Sequence, residues 1–415
     1  MPNFWTDPIG FIVQWLTNLL TGWGASPELV QFILALLGAV IMPLMAMLFV
    51  IFLIWYERKM YGRLQDRTGP NRVGPWGIFQ TFADMGKIFT KEIITPTGVD
   101  TVPYNLAPIL AVGSVLMIWA VLPLTSNIVG ANLAVGLLFV IAVGGLGELA
   151  IMMAGWGSNN KYALLGGFRA AALLVSYEVP MVIAMLIPAM LSGSLNLGVI
   201  VAAQDVPFIL MAPVAALIFF ITQVAESGRA PFDLTEAESE IVAGVNTEYS
   251  GLKFGMFYVA EFLHAFTGSM LFATLFLSGY RGPFVEQVPL LGLVYLFAKT
   301  FIVYFFSILF RGALPRFRID QMLNLNWKVL TPLVLTMVFS TALVDKIVTQ
   351  MGGQLLVRTV VLLVMNLALF WVASKLLERN TRPVRKVVSV ERPLATANGP
   401  VNEVNSPASQ DSLSV

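Results

Sequence analysis

The stretch from Leu29 to Tyr56, LVQFILALLGAVIMPLMAMLFVIFLIWY, carries no charged side chain. A helix needs about 20 mostly apolar residues to cross the hydrocarbon of a bilayer, so a run of this length and character predicts a membrane span. Working outward from it, eight further candidates follow at 102–123, 133–156, 170–191, 206–225, 254–278, 288–310, 329–347 and 353–374. Composition agrees: 57% of the 415 residues are hydrophobic and 12% charged, with mean hydropathy +0.79. A soluble domain carries about 25% charged residues and could hide so much apolar surface only in a far larger core. The fold class that follows is all-α: a polytopic membrane protein of about nine transmembrane helices plus interfacial amphipathic helices. No internal repeat is visible, which weighs against an inverted-repeat transporter.

The last two spans are the most interrupted, and Asp345, Lys346 and Arg358 are expected to snorkel from their ends. Residues 1–28 predict an interfacial helix, because Ile9, Ile12, Val13, Leu16, Leu19 and Leu20 recur at helical spacing while Asp7, Gln14 and Asn18 interrupt them. Met1 to Gly10 lack the basic region of a cleavable signal. The expected organisation is an eight-helix core over 29–350, an additional helix within 351–386 and a disordered tail over 387–415. If the first span runs from outside to inside, the inner side holds all 25 lysines and arginines except Arg281, Lys346 and Arg358, which fall outside, and Lys299, which lies within a span. Such a bias sets orientation, with the N-terminus outside and the C-terminus in the cytoplasm.

Cysteine is absent and His264 is the sole histidine. The chain therefore cannot ligate an iron–sulfur cluster or a bis-histidine haem by itself, and structural zinc is excluded on the same ground. A net charge of +1 gives no field for nucleic acid. Electrons for any redox chemistry must come from another subunit.

Two inner loops, 57–101 and 226–253, carry unusual chemistry. The first opens Glu57-Arg58-Lys59-Met60-Tyr61-Gly62-Arg63, and glycine and proline at 69, 70, 74 and 75 force an irregular path. Residues 76–92 then read as an amphipathic helix, with Phe79, Phe82, Gly86 and Phe89 on one face and Asp84, Lys87 and Lys91 on another. The arginines fit a basic anchor at the membrane surface. They equally fit the wall of a cavity, since irregular backbone at membrane depth survives only when buried in protein or lining one. An aromatic wall with a few polar groups suits a lipid-like quinone.

The second loop sets Glu226, Asp233, Glu236, Glu238, Glu240 and Glu248 against Arg229 and Lys253. Asp233 with Glu236, or Thr235 with Glu238, fits a capping box, and a solvated acidic face is the ordinary reading of such a run. Phe232, Leu234, Ile241 and Val242 threaded among the acids argue for partial burial, and the like charges of Glu236 and Glu240 stand one turn apart. Crowded, half-buried carboxyls can hold protons near neutral pH.

Charge also lies inside the spans, as Glu148, Glu178, Glu261 and Lys299. Each costs about 2.5–3.5 kcal/mol at the centre of a helix. Lys299 can form a structural pair with one glutamate but cannot neutralise three, so the acids point to a proton or cation path. His264 stands one turn from Glu261, where a hydrogen-bonded structural histidine and a relay are both open readings.

The stretches Glu57–Glu92, Glu226–Gly251 and Leu314–Gln321 (LPRFRIDQ) occur in order at compatible spacing, and they resemble the H-subunit family of bacterial NADH:quinone oxidoreductase, respiratory complex I. The mitochondrial counterpart is NADH dehydrogenase subunit 1. The likeness covers roughly residues 28–350 and leaves out the N-terminal helix, the ninth span and the tail. It implies a quinone-proximal site at Arg58, Arg67, Arg72 and Asp84, together with the Arg229–Asp233 segment and its Phe232. It also implies a chain of proton-coupling acids: Glu226, Asp233, Glu236, Glu238, Glu240, Glu248, Glu261 and Glu178, with Glu148 continuing it.

The reading that results is a membrane subunit without metal or cofactor of its own, within the H+-translocating NADH:quinone reductase. It shapes the quinone chamber and couples quinone reduction to proton translocation. The resemblance implies FMN and iron–sulfur clusters on partner subunits, quinone as substrate, contacts with other membrane-arm and hydrophilic-arm subunits and with lipid, and a bacterial plasma membrane. The rival readings are the homologous subunit of a membrane-bound hydrogenase-type complex and a stand-alone cation/proton antiporter.

Overall fold

The computed structural model describes residues 8–233, 242–352 and 354–381. All regular structure among the described residues is helical. Helix α1 (Pro8–Gly22) has 15 residues, too few to cross hydrocarbon. Helix α2 (Pro27–Leu64) starts where the Ser26 hydroxyl accepts from the Leu29 N–H, with Pro27 in the first turn, where its missing N–H costs nothing. It continues eight residues past the apolar run, so Glu57 to Leu64 are helical rather than loop. A window that follows hydropathy stops at Tyr56, whereas the backbone stops only at Gln65.

The irregular segment after α2 folds back onto its end. Lys59 Nζ donates to the Pro70 carbonyl at 2.9 Å, and Trp55 Nε1 to that of Trp76 at 3.1 Å. Gly77 lies at φ 76°, and a Cβ there would stand 2.4 Å from the Pro70 carbonyl. Only glycine fits so close an approach. The expected amphipathic helix forms as α3 (Gln80–Thr90), with Phe82 and Phe89 exposed.

Helices α4 (Thr101–Val121), α5 (Gly136–Gly157) and α6 (Lys161–Ser192) pack in sequence. Glycines let α5 and α6 approach closely: a Cβ on Gly155 would meet Gly167 Cα at 3.0 Å. Short helices α7 (Leu197–Ala202) and α8 (Phe208–Met211) lead to α9 (Pro213–Glu226). The expected fifth span over 206–225 is therefore broken at Ala212, whose φ −136° and ψ 62° are not helical. Helices α10 (Gly251–Phe276) and α11 (Leu290–Ala313) follow. Next, α12 (Ile319–Leu325), a π turn at Asn326–Leu330 and α13 (Thr331–Gln350) make one long apolar segment, before α14 (Leu355–Thr381).

Eight segments among the described residues are long and apolar enough to cross a membrane, with α9 a shorter apolar helix. The expected nine paths thus appear as eight whole helices and one broken one. Residues 1–373 form one compact unit and 374–415 a second, described only to 381 as the end of α14. The expected tail over 387–415 lies outside the described residues. Asp345 and Arg358 do not snorkel separately: Arg358 Nε lies 2.5 Å from Asp345 Oδ1.

Two prolines inside helices expose carbonyls that other elements satisfy. Pro108 has no N–H for the carbonyl of Tyr104, and the Tyr249 hydroxyl donates to it at 3.1 Å. Pro180 likewise fails the carbonyl of Ser176, and the Asn326 side-chain amide donates there. The Tyr104 and Tyr249 rings stack at 4.4 Å, and the Tyr104 hydroxyl donates to the Glu248 carbonyl at 2.8 Å, pinning the second loop to α4.

Candidate functional site: a cleft and a partly buried acid cluster

The end of α2, the loop after it, the 229–233 segment and α11 enclose a cleft of about 670 Å³. Glu57, Arg58, Tyr61, Arg67, Asp233 and Arg311 line it. Arg58 binds Asp84 on α3, and Lys87 Nζ stands 3.7 Å from the same carboxylate. Burial would push the Asp84 carboxyl up. The hydrogen bond from Arg58 and the charges of Arg58 and Lys87 outweigh it and hold that carboxyl below its usual range.

Behind the cleft lies an ion-pair network. Glu57, 3% exposed, binds Arg311 through Oε1 and Arg229 Nη1 through Oε2 at 2.9 Å. The Tyr304 hydroxyl donates to Glu57 Oε2 at 2.8 Å and accepts from Arg229 at 3.3 Å. Arg229, 1% exposed, lies 4.9 Å from the centre of the Phe262 ring and points Nε at Glu261 Oε1, 3.6 Å away. Burial alone would lower its pKa, but Glu57, Tyr304 and Glu261 raise it, so the guanidinium is a fixed positive charge. Removing one partner of such a buried pair costs about 3–5 kcal/mol, because the other charge is left stranded.

On the far side of Arg229 is an inner cavity of about 140 Å³, lined by Glu148, Glu226, Glu261 and His264. That is room for several waters. His264 Nε2 stands 3.6 Å from Glu226 Oε1. A smaller void of about 30 Å³ shares Gly144, Glu226 and His264 with it and reaches Glu178. Adjacent glycines of α5 make the space: a Cβ on Gly144 would be 3.8 Å from Glu226 Oε1, and one on Gly145 4.0 Å from Glu178 Oε1. Glu261, Glu226, Glu148 and Glu178 thus converge from α10, α9, α5 and α6.

The sequence-derived assignments fall unevenly on this geometry. Arg58 and Arg67 line the cleft, and Asp84 braces Arg58 beside it. Arg72 is exposed and is not among the lining residues. Arg229 is buried behind the cleft, and Phe232 packs between the rings of Tyr177 and Phe317, 5.3 and 5.8 Å away, instead of forming a wall. Asp233 lines the cleft with Arg316 3.9 Å off. Glu248 accepts from Asn160 Nδ2 at 2.6 Å and lines neither cavity. Glu236, Glu238 and Glu240, and with them the proposed capping boxes, lie outside the described residues.

Among the described residues Lys299 pairs with no glutamate. It donates to the carbonyls of Gly279 and Arg281 at 2.9 and 2.8 Å, capping a loop instead of forming the structural pair it could have supplied. Sequence reasoning missed Glu57, Tyr304 and Arg311 as one cluster. The one available signal was an arginine beside the LPRFRIDQ block.

Fold and site together define a multi-pass, all-helical membrane protein in which an ion-paired cleft abuts a partly buried cluster of carboxyl groups. Residues 37–342 match the NADH dehydrogenase family, and the chain belongs to that family. It is 43% identical over 315 residues to the NADH-quinone oxidoreductase H subunit of Dehalococcoides mccartyi strain CBDB1, covering 76% of this chain and 86% of that one. To the same subunit of Anoxybacillus flavithermus it is 47% identical over 302 residues, covering 72% and 90%. To that of Ruthia magnifica it is 40% identical over 341 residues, covering 79% and 95%.

Proposed function

We propose that this chain is the membrane subunit of a proton-translocating NADH:quinone oxidoreductase that forms the membrane part of the quinone chamber and couples quinone reduction to proton movement. The observation that carries the reading is the position of Arg229, a buried cation with the cleft's Glu57 on one side and the inner cavity's Glu261 on the other. A change of charge in the cleft acts on Glu57 and Arg311, and through Arg229 on Glu261; Glu57 and Arg229 are out of water, so little solvent screens that central link. Glu226, His264, Glu148 and Glu178 then continue as groups that share cavities and titrate as a set. The family relationship supports the same assembly. With no cysteine and a single histidine, the chain cannot ligate an iron–sulfur cluster by itself, and the family relationship leaves both that chemistry and the flavin to partner subunits.

Glutamine keeps the shape of glutamate but cannot ionise, so Glu178→Gln and Glu226→Gln separate proton coupling from helix bracing. In complexes assembled to normal levels, both variants should lose most proton pumping. NADH oxidation by an artificial acceptor at the flavin end should stay at the parent rate. Parent rates of both quinone reduction and pumping in the two variants would refute the coupling role.

A further inference from the structure

The family match ends at residue 342, so α14 lies beyond it. Its inward stripe runs through Arg358, Leu362, Asn366 and Leu369, spaced by four, four and three residues. Arg358 pairs with Asp345 and reaches the Leu191 carbonyl at 3.4 Å. Leu362 and Asn366 are both fully buried. An amide midway along an apolar span is costly unless it finds a partner there. Asn366 Nδ2 donates to the Met211 carbonyl at 3.1 Å and to Leu362, one turn back, at 3.0 Å.

Met211 closes α8, immediately before the break at Ala212–Pro213. Ala212 N–H reaches Phe208 and Ala216 N–H reaches Ala212, so the ladder passes over the carbonyls of 209–211, and of those three residues Met211 is the buried one. Backbone groups left bare at membrane depth cost several kcal/mol each, and broken helices persist only where neighbouring protein meets those groups. Tyr249 at Tyr104 and Asn326 at Ser176 are two cases of that device within the family-matched segment. Asn366 is a third, supplied from outside it.

We propose that α14 is a built-in seal for the broken span: the Asn366 amide covers the carbonyl bared at Met211 and thereby fixes α9, which carries Gln223 and Glu226 to the inner cavities. This assignment is independent of the proposed function, since it concerns the backbone of the break alone.

Hydrogen–deuterium exchange in the purified, fully assembled complex tests it. Asn366→Leu should speed exchange of the amides over 208–216 about tenfold, the effect of one lost buried hydrogen bond, and leave those of α10 at the parent rate. Leu367→Ala, on the half-exposed face of the same helix, should change neither. If Asn366→Leu does not accumulate, Asn366→Ala and Asn366→Gln replace it, with fast exchange expected for alanine and near-parent exchange for glutamine, which keeps an amide donor. Parent exchange over 208–216 in Asn366→Leu, or equal exchange in the alanine and glutamine variants, would mean that α14 only rests on the bundle, and the proposal would fall.

Discussion

Asp84 shows how a partly exposed residue can matter at a site it does not line. Its carboxyl is held low, so the tie to Arg58 is complete above about pH 5, where a free aspartate is already ionised, and is lost only as pH falls through the depressed folded value. Between pH 6 and 8 the docking of α3 on the end of α2 therefore does not titrate through this pair. Arg58 is about half exposed, and exposed pairs contribute about 0.2–1 kcal/mol. Asp84→Asn should accordingly reduce quinone reductase activity a few-fold without abolishing it, while flavin-end NADH oxidation is spared. Equal loss of both activities in an intact complex would remove Asp84 from the pocket. The acids inside the spans were legible because a charge in an apolar run has few structural explanations. Glu57 was not, because its partners Arg229 and Arg311 lie 172 and 254 positions along the chain, and no local pattern records such a pairing.

At the scale of elements, hydropathy located the spans but not their interruptions. Pro43, Pro108, Pro180 and Pro188 sit inside continuous helices, whereas Pro213 starts one. At Pro108 and Pro180 a donor from another helix or loop covers the carbonyl that the proline leaves bare, and composition does not register that. Glycines divide in the same way. A Cβ on Gly155 would stand 2.9 Å from the Ala163 carbonyl, a backbone atom that cannot swing aside, while one on Gly113 meets nothing within 4 Å. Gly155→Ala should therefore destabilise the α5–α6 contact by about 1–3 kcal/mol, and Gly113→Ala should be neutral. Thermal unfolding of the detergent-solubilised complexes checks this, and equal melting temperatures for the two variants would contradict the close packing.

For the whole molecule, eight segments among the described residues are long and apolar enough to cross a membrane, and α9 is a shorter apolar helix. From the lysine and arginine bias we propose an N-terminus outside and a C-terminus in the cytoplasm. The chain has no cysteine, so Asn3→Cys and Ser406→Cys give clean labelling sites. An impermeant thiol reagent applied to intact cells should label position 3 and spare position 406, and the reverse pattern would invert the topology. The reach of α2 adds a further property. Its 38 residues extend about 57 Å at 1.5 Å per residue, nearly twice the roughly 30 Å of hydrocarbon. The uncharged run from Leu29 to Tyr56 is longer than the hydrocarbon is thick, so it can fill the lipid while Glu57, about 42 Å from Leu29 along the axis, stays clear of the acyl chains. Lipids with longer or shorter tails are accommodated by tilt and by sliding along that uncharged run. The Glu57 clamp is held by Arg229, Arg311 and Tyr304, so its geometry is insulated from the thickness of the bilayer in which the complex resides.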